Sequence, residues 1–198
     1  MKRKKKKKAK EDIIIIPDII IYTDGACNNF SPFGEGGSSY VILMRDKQIE
    51  KSGSKQLLNT TNNRAELHGI LSGLYNAPDD SIILICSDSR YAINVLDGTY
   101  PNAEKNRDLI GLCLSEIRKK KQVYFEWVKG HNGNKYNELA DSLANDKMLE
   151  VKDKFKIPTF GYKEYKQPMS EQLRRRVTRF FGWTETNAFS EYSDCVPF

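Results

Sequence analysis

The sequence predicts an α/β fold in which a five-stranded mixed sheet carries packed helices. Three observations indicate this fold. Three strand-like runs follow one another early in the chain, and later segments alternate between helical apolar spacing and short apolar runs. The chain has 198 residues, which is enough for one domain with a buried core and tails. The predicted order of elements is β-β-β-α-β-α-α-β-α.

The first three strands are predicted from β-branched and apolar runs bounded by turn residues. A run of Ile, Tyr and Thr predicts a buried strand over Ile19–Thr23 that stops at Asp24-Gly25. A glycine-rich loop over 33–37 precedes two further strands, Ser38–Arg45 and Gln48–Leu57. Asp46-Lys47 is expected to join these two strands as a tight hairpin.

A change of period predicts the first helix, over 62–77. Apolar residues occupy positions i, i+3, i+4 and i+7 of one helical face: Leu67, Ile70, Leu71 and Leu74. Thr60–Asn63 supplies candidates for the N-cap, and Pro78 ends the helix. The continuous apolar run Ser81–Cys86 then predicts a strand that is buried on both faces.

The rest of this region predicts three more helices and a last strand. The helices cover Ser89–Leu96, Asn106–Lys121 and Lys135–Leu149, and the strand covers Val123–Val128. The middle helix is expected to bury one apolar face, which consists of Leu109, Leu112, Cys113 and Ile117.

Charge divides the chain into three parts. Residues 1–17 carry eight Lys and Arg against two acids, residues 18–150 carry 15 against 18, and residues 151–198 carry nine against six. This pattern predicts a basic disordered tail over 1–17, one folded domain over 18–150 and a basic, partly helical extension over 151–198. Within that extension, 151–168 is expected to be a linker and 170–183 a short basic helix.

The composition argues against several classes of protein. No apolar run approaches the ~20 residues that a transmembrane helix needs, so no membrane association is expected. Pro17 and Asp18 interrupt the apolar stretch near the start, which argues against a signal peptide. The four cysteines lack C-x-x-C spacing, which indicates reduced thiols and not a disulfide framework or a zinc site. The expected location is intracellular, in the cytoplasm or the nucleus, and not secreted.

Four acidic residues stand where this arrangement would bring them together. Asp24 and Asp88 follow two apolar strands, and the carboxyl ends of parallel neighbours lie side by side. Glu66 and Asp141 lie near the starts of two helices. Close carboxylates repel unless a cation or protons neutralise them, so the group predicts a site for Mg²⁺ or Mn²⁺. Taken singly, each acid has a plainer interpretation as a turn residue, a helix cap, a dipole partner or half of a surface ion pair.

Five local motifs resemble, in order, those of type 1 ribonuclease H across roughly residues 18–148. They are Tyr22-Thr23-Asp24-Gly25-Ala26-Cys27, the segment Thr60–Leu67, Ser87-Asp88-Ser89-Arg90-Tyr91, the segment Trp127–Gly133, and Asn137-Glu138-Leu139-Ala140-Asp141. The resemblance implies a ribonuclease H-like fold with helices on both faces of the sheet. It also implies hydrolysis of the RNA strand of RNA–DNA hybrids, leaving 5′-phosphate and 3′-hydroxyl ends. Two Mg²⁺ ions per site are implied, for which Mn²⁺ can substitute.

The same resemblance implies a role for each matching residue. Asp24 would bridge two ions, with Glu66 and Asp88 on one ion and Asp141 on the other. His131, in a mobile loop, would assist proton transfer or product release. The backbone of Cys27–Asn29, with Asn63 and Glu66, would face the RNA. A DNA phosphate would lie against Thr61 and Asn106, and the DNA sugars would lie near Tyr91. The plainer interpretations are helix capping for Thr61 and Asn106, core packing for Tyr91 and a solvated loop residue for His131.

Two features depart from the family pattern. Residues 92–122 are short and hold no tryptophan, so the basic protrusion of many cellular members is missing and Arg118–Lys121 is the remaining local patch. Our hypothesis is that the basic segments Lys2–Lys10 and Arg174–Arg179 replace it through phosphate attraction, with nuclear targeting as a rival role for the N-terminus. Competing functions are a DNA-cutting nuclease of the same superfamily, a hybrid-binding domain that does not cut, and a detached reverse-transcriptase fragment. A monomer is expected.

Overall fold

A computed structural model describes residues 16–46, 48–101 and 103–159. Five strands form one sheet in the order β3-β2-β1-β4-β5. The predicted order of elements is confirmed, with these bounds: β1 Ile19–Cys27, β2 Gly36–Met44, β3 Ile49–Leu57, α1 Asn62–Asn76, β4 Ile82–Ser87, α2 Arg90–Leu96, α3 Arg107–Ile117, β5 Gln122–Trp127 and α4 Lys135–Phe155.

The sheet is mixed, and its parallel half determines where acidic residues meet. β1 pairs antiparallel with β2, and β2 pairs antiparallel with β3. β4 lies parallel to β1 on one side and to β5 on the other. The last parallel pair between β1 and β4 is Thr23 with Ser87, so Asp24 and Asp88 follow immediately on neighbouring strands.

Helices cover both faces of the sheet, as expected for this fold class. Because successive strand residues point to opposite faces, alternate residues of β1 and β2 enter two different clusters. One cluster joins the sheet to α1, α2 and α3 and includes Ile21, Ile42, Ile85, Leu67, Ile70, Val95 and Leu109. The other joins Val41 and Leu43 to Ala140 of α4. The predicted α/β class and the mixed sheet are confirmed.

The prediction that β1 stops at Asp24-Gly25 is wrong. The strand continues to Cys27 because its antiparallel pairing with β2 goes on through Gly25 with Ser38 and Cys27 with Gly36. Asp24 therefore lies inside a paired strand and not in a turn.

The third helix also differs from its prediction. It ends at Ile117 instead of Lys121, and Leu112 is 48% exposed because the buried face is formed by Leu109, Ile110 and Cys113. Past the helix, Lys120 turns inward and its Nζ donates to the carbonyl of Ala77 and to Asp79 Oδ1, both at 2.7 Å. The chain thus leaves the helix where Lys120 bonds to residues distant in sequence, and the local apolar pattern gives no sign of these bonds.

The last helix is longer than predicted. It ends at Phe155 and not Leu149, since Val151 is buried and the following Ile157 is buried as well. The expected linker from 151 therefore begins as helix. The basic N-terminal tail and the predicted helix over 170–183 lie outside the described residues. Within the described part of the chain, no helix is long and apolar enough to cross a membrane.

Candidate active site

Three carboxylates meet at the carboxyl end of the parallel strands. One oxygen from each of Asp24, Glu66 and Asp88 lies within 4.8 Å of the other two. Asp24 is supplied by β1, Asp88 follows β4, and Glu66 projects from the first half of α1. Asp24 and Glu66 are buried, whereas Asp88 is half-buried. The fold thus holds the acids together at one partly open edge of the sheet.

Backbone contact between α1 and β1 explains how Glu66 reaches this position. A Cβ atom on Gly25 would lie 2.2 Å from the backbone nitrogen of Glu66. A Cβ atom on Gly69, one turn further along α1, would lie 2.8 Å from the carbonyl oxygen of Asp24. Only residues without a side chain allow the helix and the strand to approach this closely. Gly25 belongs to the first family-like motif, and this close contact gives it a structural role that was not predicted from the sequence.

The three acids strongly disfavour carrying three charges at once. Burial, with the neighbouring Asp88 as the second cause, raises the pKa of Asp24 to about 7. Burial and then the charge of Asp24 raise the pKa of Glu66 well above its ordinary value. Burial and then Asp141 raise the pKa of Asp88. Buried oxygens that repel one another in this way are stabilised by a cation placed between them.

One oxygen of this cluster has no internal partner. Glu66 Oε2 is buried and accepts no hydrogen bond from any described residue. An unpaired buried carboxylate oxygen is costly unless something else satisfies it. Together with the all-oxygen composition of the cluster, this atom fits a hard divalent cation such as Mg²⁺ or Mn²⁺.

The fourth predicted acid, Asp141 of α4, lies beside this group on its open side. Its charge contributes to the raised pKa of each of the other three acids. Asp141 Oδ1 accepts a hydrogen bond from Asn145 Nδ2 at 2.8 Å, and Oδ2 lies 3.9 Å from His131 Nδ1. The side chain is 32% exposed, so Asp141 faces solvent more than Asp24 or Glu66 does.

The loop between β5 and α4 passes directly over Asp88. A Cβ atom on Gly130 would lie 2.3 Å from Asp88 Oδ2, so any larger residue there would have to displace this carboxylate. His131 follows with a left-handed backbone (φ 50°) and a side chain that is 80% exposed. The imidazole is therefore exposed to solvent at the rim of the site.

Trp127 supports the main chain at Asp88, a role that was not predicted from the sequence. Its Nε1 donates to the backbone carbonyl of Asp88 at 2.9 Å. The guanidinium of Arg90 stacks on the indole ring, 3.8 Å from its centroid. Trp127 thus fixes the main chain that carries Asp88, although its position at the end of β5 gave no local sign of this contact.

The residues predicted to face RNA form a ledge at the start of α1. Cys27 Sγ donates to the carbonyl of Thr60 at 3.4 Å, and Asn29 Oδ1 accepts from the backbone nitrogen of Asn62 at 3.2 Å. Asn29 and Asn63 are exposed. Burial raises the pKa of Cys27 to about 12, so its thiol is protonated at neutral pH. The ledge is polar, neutral and open to solvent.

The residues predicted to contact the DNA strand lie at the starts of α1 and α3. Thr61 caps α1 by accepting from the backbone nitrogen of Arg64, which is its plainer role. Asn106 has a left-handed backbone and gives α3 no side-chain cap. Its Nδ2 donates instead to the hydroxyl of Tyr91 at 2.9 Å, and the Tyr91 ring packs partly against the core.

An ion pair connects these two helix starts. The two terminal nitrogens of the Arg64 guanidinium, Nη1 and Nη2, donate to Asp108 Oδ1 at 3.0 Å and to Asp108 Oδ2 at 2.8 Å. Parallel bonds of this kind fix orientation as well as distance. This ion pair therefore fixes the position of the start of α1 relative to the start of α3. It also fixes the position of Thr61 relative to Asn106.

Comparison with known proteins adds independent information. The sequence pattern of the RNase H family matches residues 17–148. Ribonuclease H of Trichodesmium erythraeum is 36% identical over 159 residues, which cover 73% of this chain and 96% of the relative. Ribonuclease HI of Synechocystis sp. is 38% identical over 139 residues, which cover 64% of this chain and 84% of the relative.

Solved structures agree in fold. The N-terminal RNase H domain of a Mycobacterium tuberculosis protein is similar with a TM-score of 0.60 and 21% identity, covering 70% of this chain and 98% of that one. RNase H1 of Halobacterium salinarum is similar with a TM-score of 0.58 and 22% identity, covering 67% and 98%. At these identities the likeness concerns the fold.

Proposed function

This chain belongs to the RNase H family of enzymes, which cut RNA in RNA–DNA hybrids, and we propose that it does so with two divalent cations held by Asp24, Glu66, Asp88 and Asp141. The products would be 5′-phosphate and 3′-hydroxyl ends. The observation that carries this proposal is the convergence of Asp24, Glu66 and Asp88 within 4.8 Å, with Asp141 alongside.

The proposed ligand set is the one that the resemblance to type 1 ribonuclease H implies. Asp24, whose carboxylate lies beside those of Glu66 and Asp88, would be a ligand of both ions. Glu66 and Asp88 would hold one ion, and Asp141 the other. Mg²⁺ is the proposed cofactor, with Mn²⁺ able to substitute. When bound, the ions activate the attacking water and stabilise the charge on the leaving oxygen.

The protein residues have separate tasks in this proposal. Glu66 Oε2 is unpaired and the pKa of Asp24 is raised, so the metal-free cluster would take up protons, and a bound cation would take their place. His131, whose Nδ1 is 3.9 Å from Asp141 Oδ2, would hold or move a proton at the rim or assist product release. Its exposure suits a group that must reach substrate and then leave it.

Selectivity for hybrids requires contacts to both strands. The ledge of Cys27, Asn29 and Asn63 would accept the RNA strand, because neutral polar groups there can pair with 2′-hydroxyls. Thr61 and Asn106 would grip a phosphate of the DNA strand, and Tyr91 would lie near its sugars. The absence of a side-chain cap from Asn106 supports this view, since it leaves the start of α3 without that partner.

Two other functions make different predictions. A DNA-cutting nuclease would use the same acids but would not need the 2′-hydroxyl contacts. A hybrid-binding domain that does not cut would have lost an acid, and all four acids are present in this sequence. We also propose that the enzyme acts as a monomer.

Cleavage of labelled RNA paired with DNA tests the proposal. RNA–RNA, DNA–DNA and single-stranded RNA should stay intact in the same Mg²⁺ buffer. Asp88→Asn should abolish cutting, whereas the matched control Asp146→Asn, at an exposed position of α4, should leave it unchanged. Binding of hybrid without cutting in either Mg²⁺ or Mn²⁺ would favour the non-cutting domain, and cutting of DNA–DNA would favour the other nuclease.

A further inference from the structure

Glu35 is a fully buried carboxylate that the proposed chemistry does not use. It lies just before β2 and is 1% exposed. It is not among the acids whose ligand atoms converge on the metal cluster. Its Oε1 accepts a hydrogen bond from Asn28 Nδ2 at 3.2 Å, while Oε2 is buried and has no partner within the described residues. A buried acid with one internal bond costs stability, so its presence calls for a reason beyond packing.

Glu35 accepts hydrogen bonds from one residue of the β1–β2 loop, Asn28, through both its side chain and its backbone carbonyl. Its backbone carbonyl accepts from the backbone nitrogen of Asn28 at 3.1 Å, beside the side-chain bond to the same residue. The other groups of Asn28 are also occupied: Oδ1 accepts from Phe30 N, and the carbonyl accepts from Ser31 N. Asn28 therefore has its polar groups committed within the protein, and Glu35 holds it by main chain and side chain together.

The residues on either side of Asn28 belong to the proposed RNA ledge. Cys27 is bonded to Thr60, and Asn29 is bonded to the start of α1 through Asn62. Fixing Asn28 thus fixes how its neighbours present their backbone and side chain. A carboxylate acceptor makes a stronger hydrogen bond than a neutral oxygen does.

We propose that Glu35 is a positioning residue for recognition of the RNA strand, acting through Asn28 on the 2′-hydroxyl contacts of Cys27 and Asn29. This inference rests on the proposed function, because it needs the ledge to face RNA. Loss of the side chain should weaken recognition of ribose while leaving the metal cluster intact. Glu35→Gln keeps an acceptor for Asn28 and should fall between the wild type and Glu35→Ala.

The test uses the full chain and a DNA strand with a short internal run of ribonucleotides, paired with DNA. The substrate is compared with versions in which one 2′-hydroxyl at a time is replaced by hydrogen. For Glu35→Ala, KM should rise about fivefold, with kcat and the Mg²⁺ dependence nearly unchanged. At the ribose that the ledge contacts, removing the 2′-hydroxyl should lower kcat/KM about fivefold for the wild type. For Glu35→Ala the same change should lower kcat/KM less than about twofold.

A matched control separates positioning from loss of stability. Ser81→Ala removes one hydrogen bond, to the carbonyl of Pro78, at the opposite end of β4. Ser81→Ala should show the full penalty for the missing hydroxyl, that is, the same loss of kcat/KM as the wild type. If Glu35→Ala and Glu35→Gln also keep the full penalty, the positioning role is wrong. If the wild type shows no penalty at any ribose, the proposed RNA ledge is wrong and the inference fails with it.

Discussion

Gly25 lies against the backbone nitrogen of Glu66, so closely that an added methyl group would come within 2.2 Å of it. This contact joins the strand that carries one buried acid to the helix that carries another. It sets the distance between the main-chain segments that carry the two carboxylates.

Gly25→Ala should damage both stability and activity. The new methyl group meets backbone atoms of Ala65 and Glu66, so α1 must move, at a cost of about 1–3 kcal/mol in the free energy of unfolding. Movement of Glu66 should lower kcat/KM by more than about 10-fold, measured on a hybrid at saturating Mg²⁺.

The control for this substitution is Gly111→Ala in α3. No atom lies within 4 Å of a Cβ built at Gly111, and alanine favours a helix over glycine by about 1 kcal/mol. Gly111→Ala should therefore stabilise the protein and leave cleavage unchanged. Equal activity of the two variants would show that the close contact does not position Glu66.

Asp24→Asn should stabilise the metal-free protein at neutral and higher pH. The folded-state pKa of Asp24 is about 7 against an ordinary 3.8, so the folded protein keeps a proton that the unfolded chain loses. This contribution to stability is complete below about pH 4 and is lost as the pH rises through 7. At pH 8 in EDTA, urea unfolding should show the variant about 2 kcal/mol more stable than the wild type.

Mg²⁺ should reverse that order. At about 100 times its dissociation constant, a bound cation adds roughly 2.7 kcal/mol to the stability of the wild type. Asp24→Asn should gain little, because it lacks the proposed shared ligand. A pH dependence in EDTA that is the same for both proteins would contradict the assigned pKa.

His131→Asn should slow cleavage without unfolding the protein. Asparagine tolerates the left-handed backbone at this position, so strain does not obscure the result. Because the side chain is 80% exposed, stability should change by less than about 0.5 kcal/mol, while kcat should fall roughly 100-fold. Asn132→Ala, at the next exposed position of the same loop, should be close to wild type. Similar rates for His131→Asn and the wild type would exclude a role in proton transfer or release.

Replacing the basic residues of segments 2–10 and 174–179 by serine should flatten the salt dependence of hybrid binding. The local patch after α3 offers little substitute, since Lys119 pairs with Glu116 and Lys120 is buried against Asp79. Each lost phosphate contact should reduce the slope of log affinity against log salt by about 0.9. An unchanged slope would show that these basic segments make no phosphate contacts with the hybrid.

Much of the architecture could be predicted because it depends on local pattern. The apolar run ending at Cys86 and the helical spacing from Leu67 to Leu74 define β4 and α1, and the parallel pairing of β1 with β4 places Asp24 near Asp88. The misjudged features depend on contacts distant in sequence. The continuation of β1 needs β2, and the inward turn of Lys120 needs Ala77. The roles of Gly25 and Trp127 likewise appear only when α1 and Asp88 are placed beside them.

The contact of Gly25 with α1 also affects which cations the acidic site can bind, because cations differ in radius. Side chains that line a site can change rotamer to fit a larger ion, but two main-chain segments in direct contact have no such freedom. Mg²⁺ binds oxygen at about 2.0–2.1 Å, whereas Ca²⁺ needs about 2.3–2.6 Å and more ligands. Because this contact limits how far the main chain at Asp24 can separate from that at Glu66, we expect the site to bind Mg²⁺ in preference to Ca²⁺.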